Sequence, residues 1–345
     1  MGAIGEQGLY NHMMQQIAGG LDMPVHNSIA YQSLAKYTPR DIAEWLHTDG
    51  GMVGQDAAVN AVASVLYSHW HYPLRPKRNL LLIGSTGCGK SELMRSVQRF
   101  ALANLGAHHS ADFVRSVDCT QLNASGWKGG VKLGDILRGV SMPNGCILFL
   151  DEFDKACSER YAGGSSGGSW SVSDLVQEQL LTTLDHQIIK LSGDDGKPFT
   201  VDTQKITVIC MGAFTALREK KRLQAERRSI GFSSAASSAA ETVSEITVEV
   251  EDLADFGMMP EICGRLTPLV MDPVSPAMML AIAEQTVKTL CDTTELHITV
   301  PENKLRILSE EAFASGQGGR GIMKRLQAAL DEHIFEDPCS DMYVL

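Results

Sequence analysis

The sequence predicts an α/β fold built on a parallel sheet, followed by a smaller, mainly helical unit. Three short apolar runs carry the first half of that prediction: NLLLIG (79–84), CILFLDEFD (146–154) and KITVICMGAF (205–214). Each reads as a strand buried on both faces, and stretches of helical spacing lie between them. The second half rests on a change of pattern. After MDPVSP (271–276) the strand signal fades, 276–293 and 307–335 read as helical, and only HITVP (297–301) is strand-like. A domain boundary is therefore expected near 270, with a large domain over 38–270 and a small one over 271–345.

Taken in order, residues 1–37 are weakly patterned and read as a flexible arm or an oligomer contact. TPRDIAEWL (38–46) opens a helix, with Thr38 able to cap, Pro39 suited to the first turn and Asp41 placed at the positive end of the helix. VGQDAAVNAVASVLYSHW (53–70) has apolar residues at helical spacing, and 90–106 is a helix for which Gly106 is a plausible stop. Two low-complexity stretches, 162–170 and 233–240, lack the apolar content to pack and read as loops. The segment RRSIGFSSAASSAA (227–240) sets Ile230 and Phe232 around a glycine, between a charged run and a Ser/Ala run. Neither neighbour has a pattern that would bury them, so 227–240 reads as the least structured stretch of the chain.

The 345 residues are 44% hydrophobic, with 41 acidic and 30 basic side chains and a formal charge of −11. That composition allows one large domain or two. It disfavours nucleic acid as the main partner, since no long basic run is present. No apolar run approaches the roughly 20 residues that span a bilayer, and the first residues do not read as a secretory signal. The eight cysteines are scattered without a Cys-x-x-Cys pair, so neither disulfides nor zinc are expected. A cytoplasmic protein with reduced thiols is the resulting expectation.

Gly84-Ser85-Thr86-Gly87-Cys88-Gly89-Lys90-Ser91 fits the phosphate-loop pattern G-x-x-x-x-G-K-[ST], with a strand before it and a helix after it. Its backbone N–H groups can turn inward around phosphates, Lys90 supplies positive charge near the β and γ phosphates, and Ser91 can ligate Mg²⁺. The run 147–152 ends an apolar strand in Asp151 and Glu152. Charge is thereby set at the carboxyl edge of a parallel sheet, where ligands bind. Asp151 would hold Mg²⁺ through water, and Glu152 would orient and deprotonate an attacking water. No Asn-Lys-x-Asp guanine signature is present, so the nucleotide expected is ATP.

DEFDK (151–155), VDTQKITVICMGAF (201–214), SIGF (229–232), EDLADFGMMPEICGRL (251–266) and GGRGI (318–322) occur in that order. Together they resemble the ClpX family of AAA+ protein unfoldases, over about 38–335. The resemblance implies a ring-forming ATPase, a hexamer by family expectation, that unfolds proteins and threads them to a ClpP-type peptidase. It assigns Arg265 as an arginine finger for the neighbouring subunit and Arg320 as a sensor-2 arginine acting in its own subunit. The blander reading leaves both on the surface. Val53 falls in the family's adenine-pocket segment, although a core valine would look the same. Trp127 and Lys128, in ASGWKGG (124–130), stand where the family carries a pore loop that grips substrate; a turn with a packed tryptophan is the other reading. Ile230-Gly231-Phe232 matches the tripeptide that docks on ClpP, unless Phe232 folds onto its own subunit.

The sequence departs from the family in three places. Residues 1–40 contain no cysteine, so the four-cysteine zinc domain is expected to be missing. LSGDDGKPFTVDT (191–203) is acidic where the family has a basic tag-recognising loop, which should weaken preference for a negative tag. CMGAF (210–214) offers no asparagine at the sensor-1 position. Two further functions stay open: a remodeller working without a peptidase, and, against the charge, a nucleic-acid-directed motor.

Overall fold

The computed structural model describes residues 33–72, 75–122, 132–138, 145–157, 172–192, 197–230, 247–340 and 342–345. Helix α1 (Pro39–His47) starts as its sequence predicts. The Thr38 hydroxyl accepts from Asp41 N at 3.3 Å, and the Asp41 carboxylate accepts from Thr38 N at 2.8 Å. These bonds favour the carboxylate and hold Asp41 below its ordinary range. Helix α2 (Asp56–His71) begins three residues later than 53, because Gly54 and Gln55 both take left-handed backbone (φ 62° and 64°) that cannot continue a right-handed helix. Strand β1 (Asn79–Ile83) is buried throughout. Helix α3 (Lys90–Phe113) does break at Gly106 (φ 74°, ψ 167°), but helical structure resumes and runs to Phe113.

Strand β2 (Val114–Asp118) follows directly and was not legible as a strand. After α4 (Leu133–Leu137) come β3 (Cys146–Asp151) and α5 (Val172–Leu184). Strands β4 (Ile188–Ser192) and β5 (Pro198–Asp202) form an antiparallel hairpin, pairing Ile189 with Val201, across the segment read as an acidic loop. Beyond β6 (Ile206–Gly212), α6 (Thr215–Ile230) corrects a second expectation. Residues 227–230 are its last turn, not the start of an unstructured stretch. Then come α7 (Val250–Phe256), α8 (Pro260–Cys263) and β7 (Leu266–Val270). The C-terminal part holds α9 (Pro276–Thr294), β8 (His297–Thr299), α10 (Glu302–Ala314), α11 (Gly318–Glu336) and β9 (Met342–Val344). The expected helix over 307–335 is thus two helices, and β9 pairs in parallel with β8.

The main sheet is wholly parallel, in the order β2-β3-β6-β1-β7. Alternate strand residues face opposite layers. Leu81, Ile83, Leu148 and Leu150 pack with Leu180, Leu217 and Ile262 of the helices on one face. Leu80, Leu82, Ile147 and Phe149 pack with Leu46, Leu66 and Phe100 on the other. Helices on both faces of a buried parallel sheet define a three-layer α/β architecture, as the sequence predicted. The segments after 270 gather a third core of their own around Ala283, Leu290, Ile322 and Leu326. Among the described residues, no helix is long and apolar enough to cross a membrane.

All eight cysteines are free thiols; Cys339 is exposed, Cys291 half-buried and the others buried. Burial pushes the Cys146 thiol up to about 12 and that of Cys263 up to about 11. Just ahead of β1, burial pushes the Lys77 ammonium down to about 8, while its Nζ donates to His69 O at 3.2 Å. The folded chain therefore sheds this proton near pH 8, whereas the unfolded chain keeps it to about 10.5. Stability from this group rises with pH through that window. A Lys77→Met variant is expected to be the more stable form at neutral pH, with the difference closing as the pH nears about 10. Urea midpoints of the two proteins across pH test this.

Candidate active site

The carboxyl ends of β1 and β3 bring the predicted residues together. The chain leaves β1 through Gly84, whose N–H still donates to Gly212 O at 3.2 Å, and then turns through Gly87 and Gly89 at φ 84° and 102° into α3. Both glycines take this left-handed backbone without a Cβ penalty. Lys90, the first residue of α3, reaches back so that its Nζ donates to Gly84 O at 2.6 Å and Ser85 O at 2.9 Å. An ammonium carries three donors. The third can serve a phosphate.

Strand β3 ends in a sharp turn, with Glu152 in left-handed backbone (φ 52°) and its N–H donating to Asp151 Oδ1 at 2.9 Å. Such a conformation at a non-glycine residue costs about 1–3 kcal/mol and is a feature of functional sites. It lets adjacent carboxylates both line the cleft. The Ser91 hydroxyl donates to Asp151 Oδ2 at 3.0 Å. A Mg²⁺ held by this hydroxyl would have the Asp151 carboxylate close enough to hold it through a water. Buried Asp154 ties the end of β3 to that of β6, accepting from Ala213 N at 3.3 Å. Ala213 itself lines the cleft.

The cleft has a volume of about 520 Å³, within the range of small-ligand sites. The P-loop, Asp151 and Glu152 form one wall. Val53 lines it on a segment with Gly51 and Met52, and Arg320 lines it from the first turn of α11. Gln285, Thr286 and Thr289 of α9 also line it, and sequence reasoning missed them. Their one usable signal was polar character repeating on one side of an otherwise apolar helix. Arg99 was missed too. It pairs with Glu92 at 2.6 Å and also donates to Gly50 O, binding the 50–52 segment to α3.

Two glycines set how closely the helical part meets the P-loop. A Cβ on Gly318 would lie 3.1 Å from Gly87 O, and Gly318 has φ 58°. A Gly318→Ala variant therefore meets both a tight contact and backbone strain. It is expected to bind ATP about tenfold more weakly, equivalent to about 1.4 kcal/mol, as read by calorimetric titration.

Arg265 lies outside the cleft. It precedes the first residue of β7, at the amino edge of the sheet, whereas the P-loop is at the carboxyl edge. Five residues of strand, about 16 Å at about 3.3 Å each, separate those edges. Its guanidinium pairs with Asp185 at 2.7 Å and donates to Glu261 O at 2.5 Å. Trp127, Lys128, Gly231 and Phe232 lie outside the described residues, as do the stretches 162–170 and 233–240; Ile230 is described only as backbone of α6.

A three-layer parallel sheet with a P-loop after β1 and paired carboxylates after β3 defines a P-loop ATPase. The chain belongs to the AAA domain family (Cdc48 subfamily), whose family model matches residues 75–269, and it is an ATPase. Its similarity to the ClpX family runs along most of the chain. It is 26% identical to the "ATP-dependent Clp protease ATP-binding subunit ClpX" of Azotobacter vinelandii, over 89% of this chain and 76% of that protein. It is 25% identical to the ClpX subunit of Treponema denticola, over 87% of this chain and 77% of that one. The ClpX subunit of Bacteroides fragilis is also 25% identical, over 88% and 78%.

Proposed function

We propose that this ATPase is a ring-forming protein unfoldase that delivers polypeptides to a ClpP-type peptidase. The observation that carries the reading is the shared lining of the cleft. The P-loop and the β3 carboxylates form one side, while α9 and α11 form the other. A nucleotide seated there touches both parts at once. Its arrival and hydrolysis can then change the angle between residues 38–270 and 271–345, which in this reading move as two bodies.

In the chemical step, N–H groups of the P-loop (84–91) and the Lys90 ammonium hold the phosphates. Ser91 and Asp151 would hold Mg²⁺, the latter through water; the ion would neutralise phosphate charge. Glu152 orients water against the γ-phosphorus and takes its proton as the bond to the bridging oxygen breaks. Val53 contacts the base and Arg320 the phosphates of its own subunit. Arg265 serves the next subunit's ATP, a role in keeping with its distance from its own P-loop. A hexameric ring would set Trp127 and Lys128 on a central pore, where an aromatic tip grips polypeptide through apolar contact. Ile230-Gly231-Phe232 docks on the peptidase, and several weak anchors acting together give avidity.

The test is ATP-dependent degradation of a fluorescent substrate by this protein with ClpP, using several C-terminal tails and a Phe232→Ala control. Loss of fluorescence that requires ClpP and Phe232 is the expected result. Unfolding without peptides, with either version, would replace this reading by that of a remodeller without a peptidase.

A further inference from the structure

One buried side chain joins the P-loop to the start of the helical part. Gln55 is 3% exposed. Its Oε1 accepts from Asp272 N at 2.9 Å, while its Nε2 donates to Asp272 O at 2.8 Å and to Cys88 O at 3.1 Å. Both amide hydrogens and the carbonyl oxygen are thus engaged. Cys88 belongs to the P-loop. Asp272 lies just past β7, where Met271 N makes a last sheet-type bond to Ile83 O at 2.7 Å, and just before the Ser275 cap of α9. A single planar amide therefore bridges the phosphate cradle and the first peptide beyond the sheet.

The local backbone is bent to make this contact. Gln55 sits in left-handed backbone immediately before α2, an unfavourable conformation for any residue with a Cβ. The segment ahead of it also lies against α9. A Cβ on Gly54 would be 2.6 Å from Met278 Cε, and one on Gly51 would be 2.6 Å from Gln285 Nε2. Buried hydrogen bonds to one rigid group are costly to break singly, so the group and its partners shift together.

We propose that Gln55 is a positioning residue that transmits nucleotide state from the P-loop to the helical part. Movement of the Cys88 carbonyl as phosphates seat passes through the amide plane to Asp272 and alters the angle at which α9 leaves the sheet. This rests on the reading of the cleft as the ATP site.

Gln55→Glu separates a coupling role from that of a structural pin. In its neutral form the acid can still accept from Asp272 N and donate to Asp272 O, but it has no hydrogen left for Cys88 O. Burial favours that neutral form at about pH 6. The measurement is amide hydrogen exchange over 272–282 in the full chain, with and without ATP and Mg²⁺, alongside calorimetric ATP binding on the same samples. In the parent, nucleotide is expected to change exchange there by at least about fivefold. In Gln55→Glu, ATP should still bind within a few fold, while that response disappears and kcat falls with KM little changed. A response of parental size in the variant would overturn the proposal, as would a parent that binds ATP without responding. Failure of the parent to bind ATP would instead overturn the reading of the cleft, and this inference with it. Should Gln55→Glu not fold, Gln55→Leu under the same protocol decides by the same two outcomes.

Discussion

Replacing Arg265 with alanine is expected to lower the ATPase kcat by about 10³–10⁵-fold and leave ATP affinity nearly unchanged. The expectation follows from where the side chain sits. Arg265 stands at the amino edge of the sheet, beyond the reach of its own P-loop, and is held by Asp185 at 2.7 Å and by Glu261 O. A guanidinium there acts on a neighbour's nucleotide or on none. The effect belongs to kcat because it neutralises charge that develops as the γ-phosphoryl group transfers. Steady-state ATPase and nucleotide titration on the assembled protein check both halves. A variant with parental kcat would return Arg265 to the status of a surface residue paired with Asp185.

Glu152→Gln is expected to lower kcat by about 10²–10⁴-fold while ATP still binds, so that the variant accumulates bound, unhydrolysed nucleotide. The amide keeps the size of the side chain but cannot take a proton. Asp151, the Ser91 hydroxyl and the P-loop keep their contacts in this variant, which is why binding should survive. Rapid filtration with labelled ATP reads the retained nucleotide directly. The two variants also test each other. Mixed subunits of Arg265→Ala and Glu152→Gln should recover activity, because a Glu152→Gln subunit lends its arginine to a neighbour with an intact base. Recovery on mixing requires a site shared between subunits; its absence would place Arg265 in a role within its own chain.

What the sequence revealed of this molecule was mostly short-range. The Thr38 cap, the P-loop and the acidic end of β3 are each written within a few consecutive residues, and each was found at its predicted place. Elements whose character depends on distant partners were harder to read. Strand β2 lies at one edge of the sheet with only Val114 and Val117 buried, and its sequence, VRSVD, gives a strand signal only once β3 lies beside it. The β4–β5 hairpin looked like a charged loop because the Asp-Asp-Gly stretch outweighed the alternation around it. Gly106 marked a real break in α3, but helical propensity beyond it, reinforced by Phe113 in the core, restored the helix. At the site, Gln285 and Thr289 face the cleft only because α9 folds back over the P-loop. Gln55 meets a partner 217 positions away, a contact no local pattern encodes.

Helix α6 bears on the proposed meeting with a peptidase. It spans 16 residues, about 24 Å at about 1.5 Å each, and ends at Ile230. Its flank is fastened to α7, with Lys220 on Asp255 at 2.9 Å and Lys221 on Asp252. If Ile230-Gly231-Phe232 docks on a peptidase as proposed, its first residue sits at the tip of a braced boom whose bearing is fixed by helical phase. Each residue added or removed past Lys221 swings that bearing by about 100° while changing the reach by only about 1.5 Å. Under that reading the boom is constrained more by angle than by length, and a step of about seven residues, close to two full turns, keeps its aim far better than a step of one.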